Sequence, residues 1–154
     1  RLEPGLVAAY KRLGSVHRAA GDLDLTRKVY EKAVGINPAD PELWSNLGVI
    51  LAEQGRYKEA RKMCEKSIEL SPGYAAGHNN LGLILQALED PGGAIKAFQR
   101  SVSLDPRGQP AQLNLAKLYL KLGQEDRARS VLEAYLKLEP GHPDATRLLD
   151  SIED

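Results

Sequence analysis

PELWSNLGVILAEQGRYKEARKMCEKSIELSPGY, residues 41–74, decides the fold. Its first half places Trp44, Leu47, Gly48 and Leu51 at helical spacing, and its second half repeats that spacing with Ala60, Cys64 and Ser67. Between the halves Gly55-Arg56 is a turn signal, and Pro72 ends the second segment. Two helices of roughly 12–14 residues joined by so short a turn form an antiparallel pair.

Outward from this stretch the pattern recurs without insertion or deletion. Pro4, Pro38, Pro72, Pro106 and Pro140 follow one another at intervals of 34 residues, with the lead-ins LEP, INP, LSP, LDP and LEP. Phased on these prolines, the repeats span 7–40, 41–74, 75–108 and 109–142. One column then holds Leu13-Gly14, Leu47-Gly48, Leu81-Gly82 and Leu115-Ala116. A second holds Thr26, Ala60, Ala94 and Ala128, and a third the larger Tyr30, Cys64, Phe98 and Leu132. The turns between helices fall at Gly21-Asp22, Gly55-Arg56, Asp90-Pro91 and Gly123-Gln124. Small residues let paired backbones approach, and the large column fills the space left between them. A single pair cannot bury both of its apolar faces, so neighbours must stack into a curved solenoid.

These columns, with an aromatic at Tyr10 and Trp44, resemble the tetratricopeptide-repeat (TPR) motif over nearly the whole chain. The resemblance implies an all-α fold: a right-handed α-solenoid of antiparallel helix pairs, four 34-residue repeats plus a C-terminal capping helix. It also implies that the first helices line the concave side.

At the start, Leu2-Glu3-Pro4-Gly5 matches Leu138-Glu139-Pro140-Gly141 in phase, so residues 1–6 read as the tail of a preceding repeat in a longer protein. Residues 143–154 read as the capping helix: Leu149 keeps the leucine column, while Asp150 and Glu153 put charge where core residues otherwise stand. Two departures stand out. Tyr135 occupies a column usually filled by a small residue, which complicates the packing of the last repeat on its cap. Asp90 and Pro91 make a normal helix start, but Gly92-Gly93 is poor in helix propensity and marks the helix beginning that frays most easily.

Composition narrows the function. Twenty-one basic residues balance twenty-one acidic ones, and aromatics make up 5 % of the chain, which argues against nucleic acid. No apolar run approaches the roughly 18 residues needed to span a bilayer. The single cysteine, Cys64, cannot form an intramolecular disulfide; it fits a reducing compartment and slightly favours the cytoplasm. His17, His78 and His142 lie at different points of the motif with no HExxH or Cys/His cluster, so no metal or cofactor is expected. Cys64 stands in a packing column with no base paired to it. No phosphate-binding, dinucleotide or nucleophile-elbow motif is present, and the reading is non-catalytic.

The expected binding face lies on the first helices. Two residues after each Trp/Tyr position come Arg12, Asn46, Asn80 and Asn114. Asparagine is a mediocre interior helix residue, so three in register need a reason. A carboxamide both donates and accepts, and rungs at helix-packing distances of about 8–10 Å fall about three extended residues apart. The column resembles the asparagine array of the O-GlcNAc transferase superhelix, which implies main-chain capture of an extended peptide. The alternative is a structural asparagine that bonds one repeat to the next. Around this column Lys11, Arg12, Ser15 and Arg18 make the first repeat basic. Val49, Leu83 and Leu113 supply apolar surface, Asn79 adds a further amide, and Lys117 and Lys121 restore positive charge in the fourth repeat. A partner with an aliphatic middle and acidic flanks suits that lining. The carboxylate clamp of TPRs that hold chaperone tails does not carry over, because Ser15 replaces its asparagine and Ala76 and Asn80 replace its basic pair.

The function expected is therefore a protein-protein interaction module that binds an extended segment of a partner in its groove. Two alternatives are the substrate-targeting arm of a larger enzyme such as a glycosyltransferase, and a scaffold that associates weakly with itself.

Overall fold

The computed structural model of the protein describes residues 4–153. Among these residues the chain is helical throughout: α1 (Pro4–Ala19), α2 (Leu23–Ile36), α3 (Pro41–Glu53), α4 (Tyr57–Leu70), α5 (Ala75–Ala87), α6 (Pro91–Leu104), α7 (Gln109–Lys121), α8 (Glu125–Leu138) and α9 (Pro143–Glu153). Residues 1–3 and Asp154, and the side chains of Pro4, Gln109 and Glu153, lie outside the description, and with them part of the expected N-terminal tail and cap. From Pro4 onward that tail is already the first turn of α1, where a proline at N1 loses nothing by lacking an N–H.

Each odd helix packs antiparallel on the even helix that follows, and each pair packs on the next. First helices of neighbouring pairs also touch one another, α3 with α5 and α5 with α7, while no pair of second helices meets to that extent. The first helices therefore form the inner layer of the solenoid and the second helices the outer one.

The columns read from the sequence meet as expected. A Cβ built on Gly82 would lie 2.6 Å from the Phe98 ring, one on Gly48 2.7 Å from the Cys64 Sγ, and one on Gly14 2.6 Å from the Tyr30 ring. Only in the fourth pair does this place hold an alanine, Ala116, and there the partner is the aliphatic Leu132. Ala60, Ala94 and Ala128 are fully buried. The core forms two clusters, one around α1–α4 and one around α5–α9, with Leu81 packed against both.

Tyr135 finds room through compensation. It is buried against the cap, its ring centroid 5.3 Å from that of His142, and the facing residue at the start of α9 is Ala145. At the junction between the second and third pairs the same place holds two small residues, Ser67 and Gly77, and the Ser67 hydroxyl donates to the Pro41 carbonyl at 2.7 Å.

The turns inside the pairs need one left-handed residue. Gly21, Gly55 and Gly123 supply it at φ 79°, 76° and 69°, but the third pair uses Glu89 at φ 60°. A side chain in this region clashes with its own backbone, which costs about 1–2 kcal/mol. The start of α6 is capped by Asp90 as expected, its carboxylate accepting from Gly93 N–H at 2.8 Å. The turns between pairs share a tether. Trp44 Nε1 donates to Pro38 O at 2.7 Å, and Gln112 Nε2 donates to Pro106 O at 2.8 Å. His78 Nε2 lies 3.0 Å from Pro72 O. A carbonyl only accepts, so His78 carries its proton on Nε2.

Candidate functional site

The inner layer carries a groove of about 520 Å3 between α1, α3 and α5, lined by Arg18, Tyr30, Asn46, Val49, Ile50, Ala52, Glu53, Asn80, Leu83 and Ile84. Five residues expected from the sequence meet here: Arg18, Asn46, Val49, Asn80 and Leu83. The volume falls within the roughly 300–1,000 Å3 typical of ligand clefts. Leu83 is 43 % exposed, an aliphatic side chain offered to solvent on a face whose neighbours Ile50 and Ile84 are buried.

The asparagines divide by what they bond. Asn80 Nδ2 donates to Ser45 Oγ at 2.9 Å, and Asn114 Nδ2 donates to Asn79 Oδ1 at 2.9 Å. Both bonds tie one first helix to the preceding one. Neither Oδ1 of Asn80 or Asn114 accepts a bond among the described residues, so both keep an acceptor. Asn46 bonds to nothing among the described residues; the place one helix back, where Ser45 and Asn79 stand for the other two, holds Lys11. The column is thus structural at Asn80 and Asn114, and uncommitted at Asn46.

Several expected lining residues do other work. Leu113 does not extend the apolar lining: it is 5 % exposed and sits inside the second core cluster, because its place on α7 faces the preceding pair. Asn79, in the same column, is likewise buried and holds Asn114. Lys11 is tied to Asp40 at 3.0 Å and Glu42 at 2.6 Å. Burial works against its ammonium, but the bonds to Glu42 and Asp40 outweigh it and raise its pKa. Arg18 makes a forked hydrogen bond to Glu53, which raises its pKa in turn. The hydroxyl of Ser15 donates to the Lys11 carbonyl at 3.0 Å. The first pair is consequently not a basic surface, and of its cations Arg12 alone remains exposed on this face without an ion pair among the described residues. Lys117 and Lys121, one turn apart on α7, are also exposed and unpaired among those residues, so positive charge on the inner layer gathers toward the fourth pair.

Tyr30, Ile50, Ala52, Glu53 and Ile84 line the groove although the sequence reading does not place them there, Tyr30 standing in it as a packing residue. A signal was present for one. Arg18–Glu53, Ser45–Asn80 and Asn79–Asn114 are all separated by 35 residues, the period plus one. A periodic table of columns shows equivalence at 34, whereas diagonal contact between first helices comes at 35.

No group of three or more His, Cys, Asp or Glu that could hold a metal occurs among the described residues. Burial pushes the Cys64 thiol up to about 12, which leaves it without thiolate at neutral pH. Among the same residues no helix is long and apolar enough to cross a membrane.

An inner layer of first helices, an outer layer of second helices and a groove along the inside define a helical-repeat interaction solenoid. The chain belongs to the tetratricopeptide-repeat family: family models described as tetratricopeptide repeat match residues 40–107 and 85–152, and one described as TPR repeat matches residues 14–55. Families of this repeat are generally non-catalytic interaction modules. No curated protein matches the chain in sequence. Its fold is similar to that of TTC0263, a thermophilic TPR protein in Thermus thermophilus, at 24 % identity and TM-score 0.78 over 95 % of this chain and 80 % of that one. It is similar to YrrB, described as a TPR protein with an unusual peptide-binding site, at 24 % identity and TM-score 0.68 over 93 % and 74 %. It is also similar to the first TPR of Spaghetti (RPAP3), solved with an HSP90 peptide, at 21 % identity and TM-score 0.72 over 79 % and 97 %.

Proposed function

We propose that this chain is a non-catalytic module that holds an extended segment of a partner protein along its inner layer. The observation that carries the reading is the groove at Asn46, Val49, Asn80 and Leu83, where aliphatic surface lies beside an unbonded carboxamide and a second free carbonyl. Val49 and Leu83 would take an aliphatic side chain, Asn46 would bond main chain in both directions, and the Oδ1 of Asn80 would accept a peptide N–H. The unpaired Lys117 and Lys121 favour a carboxylate on the segment toward the fourth pair, and the neutralised Lys11 and Arg18 remove the matching preference at the first. The even charge balance and scarce aromatics support protein over nucleic acid as the partner.

Substituting all three asparagines would confuse two roles, since loss of Asn80 or Asn114 unties neighbouring helices. A sharper variant is Val49→Lys/Leu83→Lys, which alters the groove wall while Asn80 and Asn114 keep their bonds. A displayed library of random peptides is selected on the wild type, and the enriched peptides are measured on both proteins. The proposal expects binding at least tenfold weaker on the double variant, with circular dichroism unchanged. Equal binding to both would place the partner elsewhere.

A further inference from the structure

A second groove lies between the outer helices α4 and α6, floored by α5, where the second and third pairs meet. Ile68 on α4, His78, Leu81 and Leu85 on α5, and Gly93 and Ala97 on α6 enclose about 400 Å3 of largely apolar surface. Residues 34 positions away fill the corresponding space at the neighbouring junctions. Between the first and second pairs, Trp44 stands in the place of His78 and Met63 in that of Ala97, both packed on the core. Between the third and fourth, Tyr119 stands in the place of Leu85, Arg127 in that of Gly93 and Val131 in that of Ala97. There the Arg127 guanidinium lies 5.8 Å from the centre of the Tyr119 ring, and Gln99 Nε2 donates to the Tyr119 hydroxyl at 3.0 Å. Gly93 and Ala97 are smaller than their counterparts at both neighbouring junctions, Glu59 and Arg127 for the first and Met63 and Val131 for the second, and both line the same groove.

The fold does not require this. Glycine in a helix costs about 1 kcal/mol relative to alanine. Nor does the cap at Asp90 demand Gly93, since Asp22 caps α2 in the same way above Leu25, a full side chain in the equivalent place. The rim is charged in one sense. Lys96 and Arg100 are exposed and have no ion pair among the described residues, whereas Glu65, the acid beside them, is held by Arg61 at 2.7 Å.

We propose that this outer groove is a second docking site, for a partner segment that presents an aliphatic side chain flanked by carboxylates. The aliphatic group would fill the space that Met63 and Tyr119 occupy at the other junctions, and the carboxylates would meet Lys96 and Arg100. This site shares no lining residue with the inner groove and lies on the opposite face of α5.

The test is methyl NMR of the protein titrated with acetyl-Glu-Leu-Leu-Glu-amide, and with the same peptide carrying lysine for glutamate. The proposal expects saturable shifts at Ile68, Leu81, Leu85 and Ala97, about tenfold weaker binding of the lysine peptide, and loss of the Ile68, Leu81 and Leu85 shifts in Ala97→Met and in Gly93→Glu. Both substitutions copy the second pair, and a thermal melt no lower than wild type shows that each folds. Shifts confined to Val49 and Leu83 would overturn the outer site and leave the inner one standing. Outer-groove shifts that survive both substitutions, or an equal response to the lysine peptide, would overturn it as well.

Discussion

Leu13 and Leu47 occupy the same column of consecutive helix pairs, yet Leu13 is 44 % exposed and Leu47 is 5 % exposed. Val16 and Ile50 differ in the same way, at 65 % and 1 %. The sequence around each is alike and the helix that carries each is alike. What differs is the neighbour: α3 lies on α2, while nothing in the described structure lies on the corresponding face of α1. Burial in this protein is thus a property of the stack. Each pair completes the core of the one after it, as expected for an array held by nearest-neighbour interfaces.

The largest effect that would sharpen this comparison is Leu47→Ala, expected to cost about 2–5 kcal/mol, against less than about 1 kcal/mol for Leu13→Ala. Urea unfolding of both variants measures the difference, and equal losses would show that the first pair is packed as tightly as the second. Next comes Ala94→Leu on the interior side of the third pair, where the alanine is fully buried; overpacking there should cost about 1–3 kcal/mol. The first pair has Thr26 in that column, its hydroxyl bonded to the Asp22 carbonyl at 2.7 Å, so a somewhat larger residue is accommodated there. The smallest effect has the opposite sign. Glu89→Gly copies the turn of the other pairs and should raise stability by about 0.5–1 kcal/mol, the left-handed strain removed less the backbone freedom that glycine adds to the unfolded chain. A lower melting temperature for this variant would mean that the Glu89 side chain contributes more than its backbone costs.

Much of the fold is legible in the amino-acid sequence. The proline interval, the leucine-glycine column and the large column opposite it depend on local periodicity, and the helices begin and end where those residues place them. Within the candidate site Asn46, Val49 and Leu83 are legible too, because a first-helix residue on the inner layer projects the same way in every pair. Periodicity misplaces Leu113 and Asn79 because their column faces the preceding pair, and Lys11, in that same column, is a surface residue in name only: its charge is taken by Asp40 and Glu42. Nothing local to Lys11 or Arg18 announces those partners, which stand on the turn into the next pair (Asp40) and on its first helix (Glu42 and Glu53).

The sequence by itself determined the class of molecule: thirty-four-residue units, two helices each, stacked through small and large residues in register. Steric complementarity within a unit is a local matter, and a repeating pattern states it several times over. The tertiary structure alone decided which cations are free, which asparagine is uncommitted and which grooves are open. Those outcomes rest on diagonal contacts between units, one residue off the period, and on the size of side chains that three different helices bring to one place.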